Sequence, residues 1–243
     1  QINQALELRK AGLGLLGNIV GDRKAVACIE DTAVALEDLA PYINEFSALM
    51  ADFKQDAVYY AHAGAGELHL RPILDLKKAD DVVLFRKITT AVANLVKKYQ
   101  GSMSGEHGDG LVRGEFVELM IGSANYERLK QIKTLFDPHN IFNPGKLVNA
   151  NPMDENLRYT PDREEPEIDT LFNFDDSQGI LRAAEQCNGT GDCRKLPAAG
   201  GTMCPSYRAT RDEKDSTRGR ANALREFLTK SERKNSFNHK ELK

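Results

Sequence analysis

The sequence predicts an α+β fold: an antiparallel sheet covered by helices, followed by a small, mostly helical, cysteine-containing segment. Three observations carry this expectation. Strand-length apolar runs alternate with stretches of helical periodicity over residues 1–150, the pattern of helices packed on one sheet. Two strand-like runs, Val58-Tyr59-Tyr60 and Leu68-His69-Leu70, flank Gly64-Ala65-Gly66 as the arms of an antiparallel hairpin would. Beyond residue 150 the composition turns acidic and proline-marked, and three of the four cysteines then follow.

Taken in order, Leu6, Leu8, Leu13 and Leu15 with Arg9-Lys10 predict a short helix that stops near Gly12, Gly14 and Gly17. Ala25-Val26-Ala27-Cys28-Ile29 is an apolar run of strand length. Asp31-Thr32 can cap a following helix, because short oxygen-bearing side chains accept from the free N–H groups of a first turn. Val34, Leu36, Leu39, Ile43, Phe46, Leu49, Met50 and Phe53 then recur at helical spacing, with Pro41 placed to kink or restart the helix. After the hairpin, Val82, Val83, Phe85, Ile88, Val92, Leu95 and Val96 form the apolar face of a long helix whose polar side carries Lys87, Lys97 and Lys98. Gly101 to Gly110 is a glycine-rich loop, and Phe116 to Phe136 returns to helical patterning. Residues 151–180 read as an acidic linker punctuated by Pro152, Pro161 and Pro166. A second unit occupies 181–243 and ends in a basic tail through Arg218, Arg220, Arg225, Arg233 and Lys234.

With 41% hydrophobic and 28% charged residues and a net charge of -3, the 243-residue chain is neither disordered nor built for nucleic acid. Four cysteines, mostly late in the chain, do not make a secreted disulfide framework. No apolar run approaches the roughly 18–20 residues of a membrane span. The expectation is a soluble protein of a reducing compartment, the cytoplasm, with peripheral membrane association left open. The start at Gln1-Ile2-Asn3, without an initiating methionine, suggests an internal segment of a longer protein.

The chemistry concentrates in three places. The first is His62-Ala63-Gly64-Ala65-Gly66-Glu67-Leu68-His69. If Ala65-Gly66 is a two-residue loop, His62 and His69 are opposite one another with Cβ atoms roughly 5 Å apart. Two imidazoles so placed can share a divalent metal at about 2.0–2.1 Å each. The alternative is two ordinary strand histidines. The second is Ser104-Gly105-Glu106-His107-Gly108-Asp109-Gly110, where a carboxylate could complete a catalytic metal set and a histidine titrating near neutrality could take a hydroxyl proton. Its alternative is a polar turn. The third is Cys187-x5-Cys193-x10-Cys204-Pro205. A four-iron cluster needs four thiolates, a zinc site needs a histidine nearer than His239, and unliganded thiols remain the third possibility. Gly12-x-Gly14-x-x-Gly17 matches a dinucleotide fingerprint but follows a helical segment instead of a strand, so no nucleotide is expected there.

Together, these motifs and Phe136-Asp137-Pro138-His139-Asn140-Ile141-Phe142-Asn143-Pro144-Gly145-Lys146 resemble the FAD-linked oxidases that dehydrogenate D-2-hydroxy acids, over essentially all of residues 1–150. The resemblance implies the ferredoxin-like substrate-side domain of that family. It implies His62, His69 and Glu106 as ligands of a divalent metal, usually zinc, and His107 as the base that removes the hydroxyl proton. Arg9 would grip the substrate carboxylate, a task suited to a planar fork of donors. Lys24 and Arg113 are further cationic candidates, each expected at the surface. Asn143 and Lys146 could touch the flavin. Common members carry Asp and Asn where this chain has Ala65 and Glu67, which puts substrate identity in question more than the site itself.

Cys204-Pro205-Ser206-Tyr207-Arg208-Ala209-Thr210-Arg211-Asp212-Glu213 and Ser216-Thr217-Arg218-Gly219-Arg220-Ala221-Asn222 resemble the iron–sulfur module fused behind the oxidase in very long members. Residues 181–243 would then be the N-terminal part of a 4Fe-4S domain, with Cys187, Cys193 and Cys204 an incomplete ligand set. The implied partners are a small 2-hydroxy acid, an FAD-binding domain and the rest of the iron–sulfur domain, both absent from this chain, and an electron acceptor such as a quinone or carrier, with no nucleic acid. The segment is expected to be inactive alone. A rival assignment is a non-catalytic metal or iron–sulfur module that carries electrons or acts as a scaffold.

Overall fold

The structure is a computed structural model that describes residues 2–199 and 203–231. In chain order its elements are α1 (Ile2–Gly17), β1 (Lys24–Ala25), β2 (Ile29–Ala33), α2 (Leu39–Asp52), β3 (Ala57–His62), β4 (Glu67–Leu74), α3 (Ala79–Lys98), α4 (Gly110–Arg113), α5 (Val117–Ile121), α6 (Ser123–Phe136), α7 (Ile180–Glu185), α8 (Pro205–Thr210) and α9 (Thr217–Lys230). They fall into two units, Arg23–Arg163 and a second that joins Gln1–Asp22 to Glu164–Lys243.

In the Arg23–Arg163 unit, β4 is the central strand of a four-stranded antiparallel sheet. β3 runs along one edge from Ala57↔Pro72 to His62↔Glu67. Along the other edge β2 pairs from Ala33↔Glu67 to Ile29↔Leu70, and β1 resumes at Ala25↔Ile73. Pro72, which has no N–H for a ladder, falls in the gap between them. Leu68, Leu70 and Leu74 on one face of β4 are buried with Cys28, Tyr42, Phe46 and Met50 and with Phe85, Ile88, Val92 and Val96 of α3. Each such side chain contributes about 1.5–3 kcal/mol when fully withdrawn from water. The long α3 is helped by Asp80 and Asp81 in its first turn and Lys97 and Lys98 in its last, which complement the helix dipole. This is the α+β arrangement the periodicity predicts.

Local details differ. The apolar run 25–29 is split between β1 and β2 by a turn that holds Cys28 fully buried. Asp31 and Thr32 do not cap a helix; they lie inside β2, and α2 starts only at Leu39, with Pro41 tolerated in its first turn. Helical patterning over 116–136 is broken at Gly122, whose φ of 80° suits a residue without Cβ. Part of the expected linker packs instead of floating. Met153 is buried in the sheet core, and Arg86 is clamped between Asp154 (2.5 and 2.6 Å) and Glu115 (2.7 Å). Asp162 also folds back, accepting from the N–H of Ala79 at the start of α3. The physical reason is that isolated acids look solvated in sequence, while a distant arginine gives them a partner.

The second unit contains α1, α7, α8 and α9. α1 runs straight through Gly12 and Gly14 because glycine in a helix is a penalty of about 1 kcal/mol, not a stop. Those glycines are therefore helical and make no phosphate loop. Asp22 pairs with Arg182 of α7 at 2.6 Å. Ser216 caps α9 by accepting from the N–H of Gly219 at 2.8 Å. Cys193, Cys204 and Tyr207 form a small buried cluster. Arg233, Lys234 and His239 lie outside the described residues. Among the described residues no helix is long and apolar enough to cross a membrane.

Candidate functional site

Alternation along β4 sends Glu67, His69 and Arg71 to the face opposite the leucines. The hairpin register differs from the two-residue loop expected from sequence. His62 stands opposite Glu67, and His69 stands opposite Tyr60. Four residues, Ala63 to Gly66, make the turn, because Gly66 adopts a φ of 72° and presses its backbone against Val34. A Cβ at that glycine would sit 2.1 Å from the Val34 carbonyl oxygen. His62 and His69 thus become diagonal neighbours on one face, and their rings still meet at 5.1 Å between centroids, nearly perpendicular.

The glycine-rich loop brings Glu106 and His107 over this face. It is held there by Asp31, which sequence reasoning placed as a helix cap. A register irregularity between Glu30 and Thr32 and a φ of 74° put the fully buried Asp31 in a bulge. Its carboxylate accepts from the N–H of Glu106 (2.8 Å), the N–H of His107 (2.9 Å) and the Ser104 hydroxyl (2.7 Å). Its carbonyl accepts from the N–H of Gly105 at 2.7 Å. Asp31 therefore does cap converging N–H groups, but those of a loop far away in sequence. Arg113, expected at the surface, is buried and donates to the carbonyls of Met103 (3.1 Å), Gly108 (2.6 Å) and Glu30, with Asp31 at 3.4 Å. Lys24 is half-buried in β1.

Around Glu106 several groups able to ligate a metal lie close together. Its Oε1 lies 3.5 Å from His62 Nε2 and 3.6 Å from His69 Nε2. Two ligand atoms at 2.0–2.1 Å from a tetrahedral centre stand about 3.3–3.4 Å apart, so these spacings fit one ion with little movement. Ligand atoms of His62, Glu67, His69 and Glu106 all lie within 4.8 Å of one another, and Asp31, Glu106 and His107 form an overlapping group. Two buried polar atoms here, Glu67 Oε1 and His69 Nδ1, have no hydrogen-bond partner. The donor set of imidazoles and carboxylates suits a divalent transition metal.

Electrostatics match that chemistry. Burial, reinforced by the neighbouring imidazoles and opposed by Glu30 and Glu106, holds His69 below the usual histidine range. Glu67 is pushed up to about 7 by its hydrogen bond with Asp31, by burial and by the charge of Glu106. For Asp31 burial acts upward, but hydrogen bonds from Glu67, Ser104 and the backbone of His107 and Glu106 hold it well below the carboxylate range. His107 stacks on His69 at 5.4 Å, with Nε2 3.1 Å from Glu106 and Nδ1 3.4 Å from Glu30, which pairs in turn with Arg71.

Of the residues singled out from sequence, His62, His69, Glu106 and His107 come together. Arg9 is exposed on α1, in the second unit. Asn143 and Lys146 lie on the exposed loop after α6, 3.5 Å from each other. The three late cysteines are in the second unit, Cys193 and Cys204 buried and Cys187 half-buried. Cys204 is drawn down to about 7 by the Ser206 hydroxyl and the backbone of Tyr207. Arg218, paired first with Glu213, also feels Cys193 and Cys187. From sequence Glu30 has no role, Asp31 reads as a helix cap, Arg113 as a surface cation and Glu67 only as a departure from the family. The only hint was the Glu30-Asp31 acid pair set against an apolar run of strand length.

Known proteins align with this arrangement. The family described as FAD linked oxidases, C-terminal domain, matches residues 1–147. Over 93% of its length the chain is similar to D-2-hydroxyglutarate dehydrogenases, 39% identical to that of Pseudomonas putida and 38% to that of Haemophilus influenzae. It spans 22% of the length of each. A D-lactate dehydrogenase of Archaeoglobus fulgidus is 36% identical over 53% of the chain and 28% of that protein. With the family's domain matched over most of the sequence, and two of its motifs meeting on one face of the sheet, this chain belongs to the FAD-linked oxidases and carries their C-terminal domain.

Proposed function

We propose that the chain is the substrate and metal portion of a flavin-dependent oxidoreductase that converts a D-2-hydroxy acid to a 2-oxo acid. The observation that carries this is the convergence of His62, His69 and Glu106 at ligand spacing with His107 beside them. When bound, a divalent metal such as zinc would supply Lewis acidity at the substrate hydroxyl, and FAD would supply the acceptor for the hydride of Cα. His107 then takes the hydroxyl proton, so that the C–O bond becomes C=O with proton and hydride both accounted for. Glu30, beside His107 Nδ1, stabilises the imidazolium that results, and Arg71 holds Glu30 in place. By resemblance to the family alone, Arg9 would bind the substrate carboxylate, and Asn143 and Lys146 would contact the flavin.

In the same protein, Cys187, Cys193 and Cys204 would supply three of the four thiolates of a 4Fe-4S cluster, which would serve to pass electrons to a quinone or carrier. Support comes from the buried thiols, the low-lying Cys204 and the cationic Arg218 near them, which suits an anionic cluster. D-2-hydroxyglutarate is the first substrate to try, since the long relatives that match 93% of the chain are named for it. The test uses full-length protein with FAD: anaerobic bleaching of the flavin by D-2-hydroxyglutarate and by D-lactate, before and after His107→Ala. The substitution should lower kcat on the order of 10²–10⁴-fold with FAD and metal content unchanged. Flavin that no D-2-hydroxy acid reduces would sink the proposal.

A further inference from the structure

The metal centre proposed above has a fourth side chain within reach. We propose that Glu67 is a protein ligand to the divalent ion, so that the centre is built from two imidazoles and two carboxylates. This rests on the assignment of His62, His69 and Glu106 as ligands and adds one residue to it.

Register places Glu67 for this role. It stands directly opposite His62 and two residues before His69 on the same face of β4. A ligand atom of Glu67 lies within 4.8 Å of those of His62, His69 and Glu106. The side chain is only 7% exposed, and its Oε1 has no hydrogen-bond partner although it is buried. A carboxylate oxygen withdrawn from water without a donor loses its hydration with nothing in return. A cation satisfies that oxygen; no protein donor does. The remaining hydrogen-bonding capacity of the carboxyl group is directed at Asp31.

The loop above is shaped to leave the carboxylate where it is. A Cβ added at Gly105 would meet Glu67 Oε1 at 3.1 Å and Glu67 Cδ at 3.3 Å. Glycine at 105 therefore lets backbone close over the acid without displacing it, immediately before Glu106 enters the site. Charge gives a second consequence. Two carboxylates neutralise a divalent ion completely, and additional oxygen donation favours Mn²⁺ relative to a site of two imidazoles and one carboxylate.

The decisive experiment is a crystal structure of the full-length protein loaded with Zn²⁺ and, separately, with Mn²⁺, the ions located by anomalous scattering. A Glu67 oxygen at about 2.0–2.2 Å from the ion is expected. Calorimetric titration of the chelator-stripped protein supplies the solution arm: Glu67→Gln should lower Mn²⁺ affinity tenfold or more, and Glu67→Asp, which keeps the charge, should restore part of it. An ion seated on His62, His69 and Glu106 with both Glu67 oxygens beyond about 3 Å overturns the inference and leaves the three-ligand centre standing. A loss below tenfold in folded Glu67→Gln protein also overturns it. If His62→Ala and His69→Ala bind metal as tightly as wild type, the centre itself is wrong.

Discussion

Along β4, Leu68, Leu70 and Leu74 turn into the core shared with Phe46, Phe85 and Ile88, whereas Glu67, His69 and Arg71 turn to the opposite face and meet charges and rings. Both faces are built by the same two-residue alternation, yet they are stabilised differently. The apolar face needs only volume and shape, so many weak contacts share the work and no single partner is specified. On the polar face each group is settled individually: Arg71 by Glu30, Glu67 by its hydrogen bond with Asp31, and His69 by stacking between the rings of Tyr60 and His107. Such a network is demanding, because one missing member leaves the others buried and unpaired.

The comparison can be broken most severely at Asp31. Asp31→Ala strands three converging donors and leaves the buried Arg113 without its neighbouring charge. A destabilisation of about 3–5 kcal/mol is expected by urea unfolding, together with loss of metal binding. A cost near zero would mean that the loop is held by something else. On the other face, Leu70→Ala should cost about 2–5 kcal/mol through the cavity it leaves, while metal affinity per folded molecule stays unchanged. His69→Ala should do the reverse. Metal affinity falls tenfold or more by calorimetric titration, with only about 1 kcal/mol lost from the metal-free protein, since an unsatisfied buried Nδ1 disappears with the ring. Equal stability losses at Leu70 and His69 would erase the distinction between the faces.

The smallest effect is expected away from both faces, at Asp137. Its ion pair with Lys133, then the N–H groups of Ile141 and Phe142, hold this carboxyl below the usual range. A depressed folded-state value means that its contribution is complete above the ordinary pKa of about 3.9 and is lost as pH falls through the lower value. Asp137→Asn should therefore reduce unfolding stability at pH 7 and make progressively less difference in increasingly acid solution. A difference independent of pH would show that the carboxylate charge is immaterial to the loop after α6.

How far the sequence could be read depended on whether the determining interactions were local. The periodicity of Val82 to Val96 announces α3, and the strand runs at 58–60 and 68–70 announce β3 and β4, because those patterns repeat within a few residues. The pairing of His62 and His69 was legible as a possibility, but its geometry was not. A backbone contact between Gly66 and Val34 lengthened the turn and converted an opposed pair into a diagonal one. Asp31 was misplaced for a related reason. An aspartate before apolar residues at helical spacing looks like a cap, and nothing nearby discloses that the N–H groups it serves are those of Glu106 and His107. The acids of 153–162 looked solvated until Arg86 and α3 reached them.

By itself, then, the sequence determined the fold class, the strand that carries the histidines, the loop that carries Glu106 and His107, and the family. These follow from period, turn chemistry and motif, all of which are written in consecutive residues. Tertiary structure alone decided the hairpin register, the buried carboxylate that presents the loop, the fate of Arg113 and the presence of Glu67 beside His62, His69 and Glu106. The reason is that burial gives an unpaired charge or N–H group a cost it lacks in water, and which distant groups meet to remove that cost is settled only when the chain is folded.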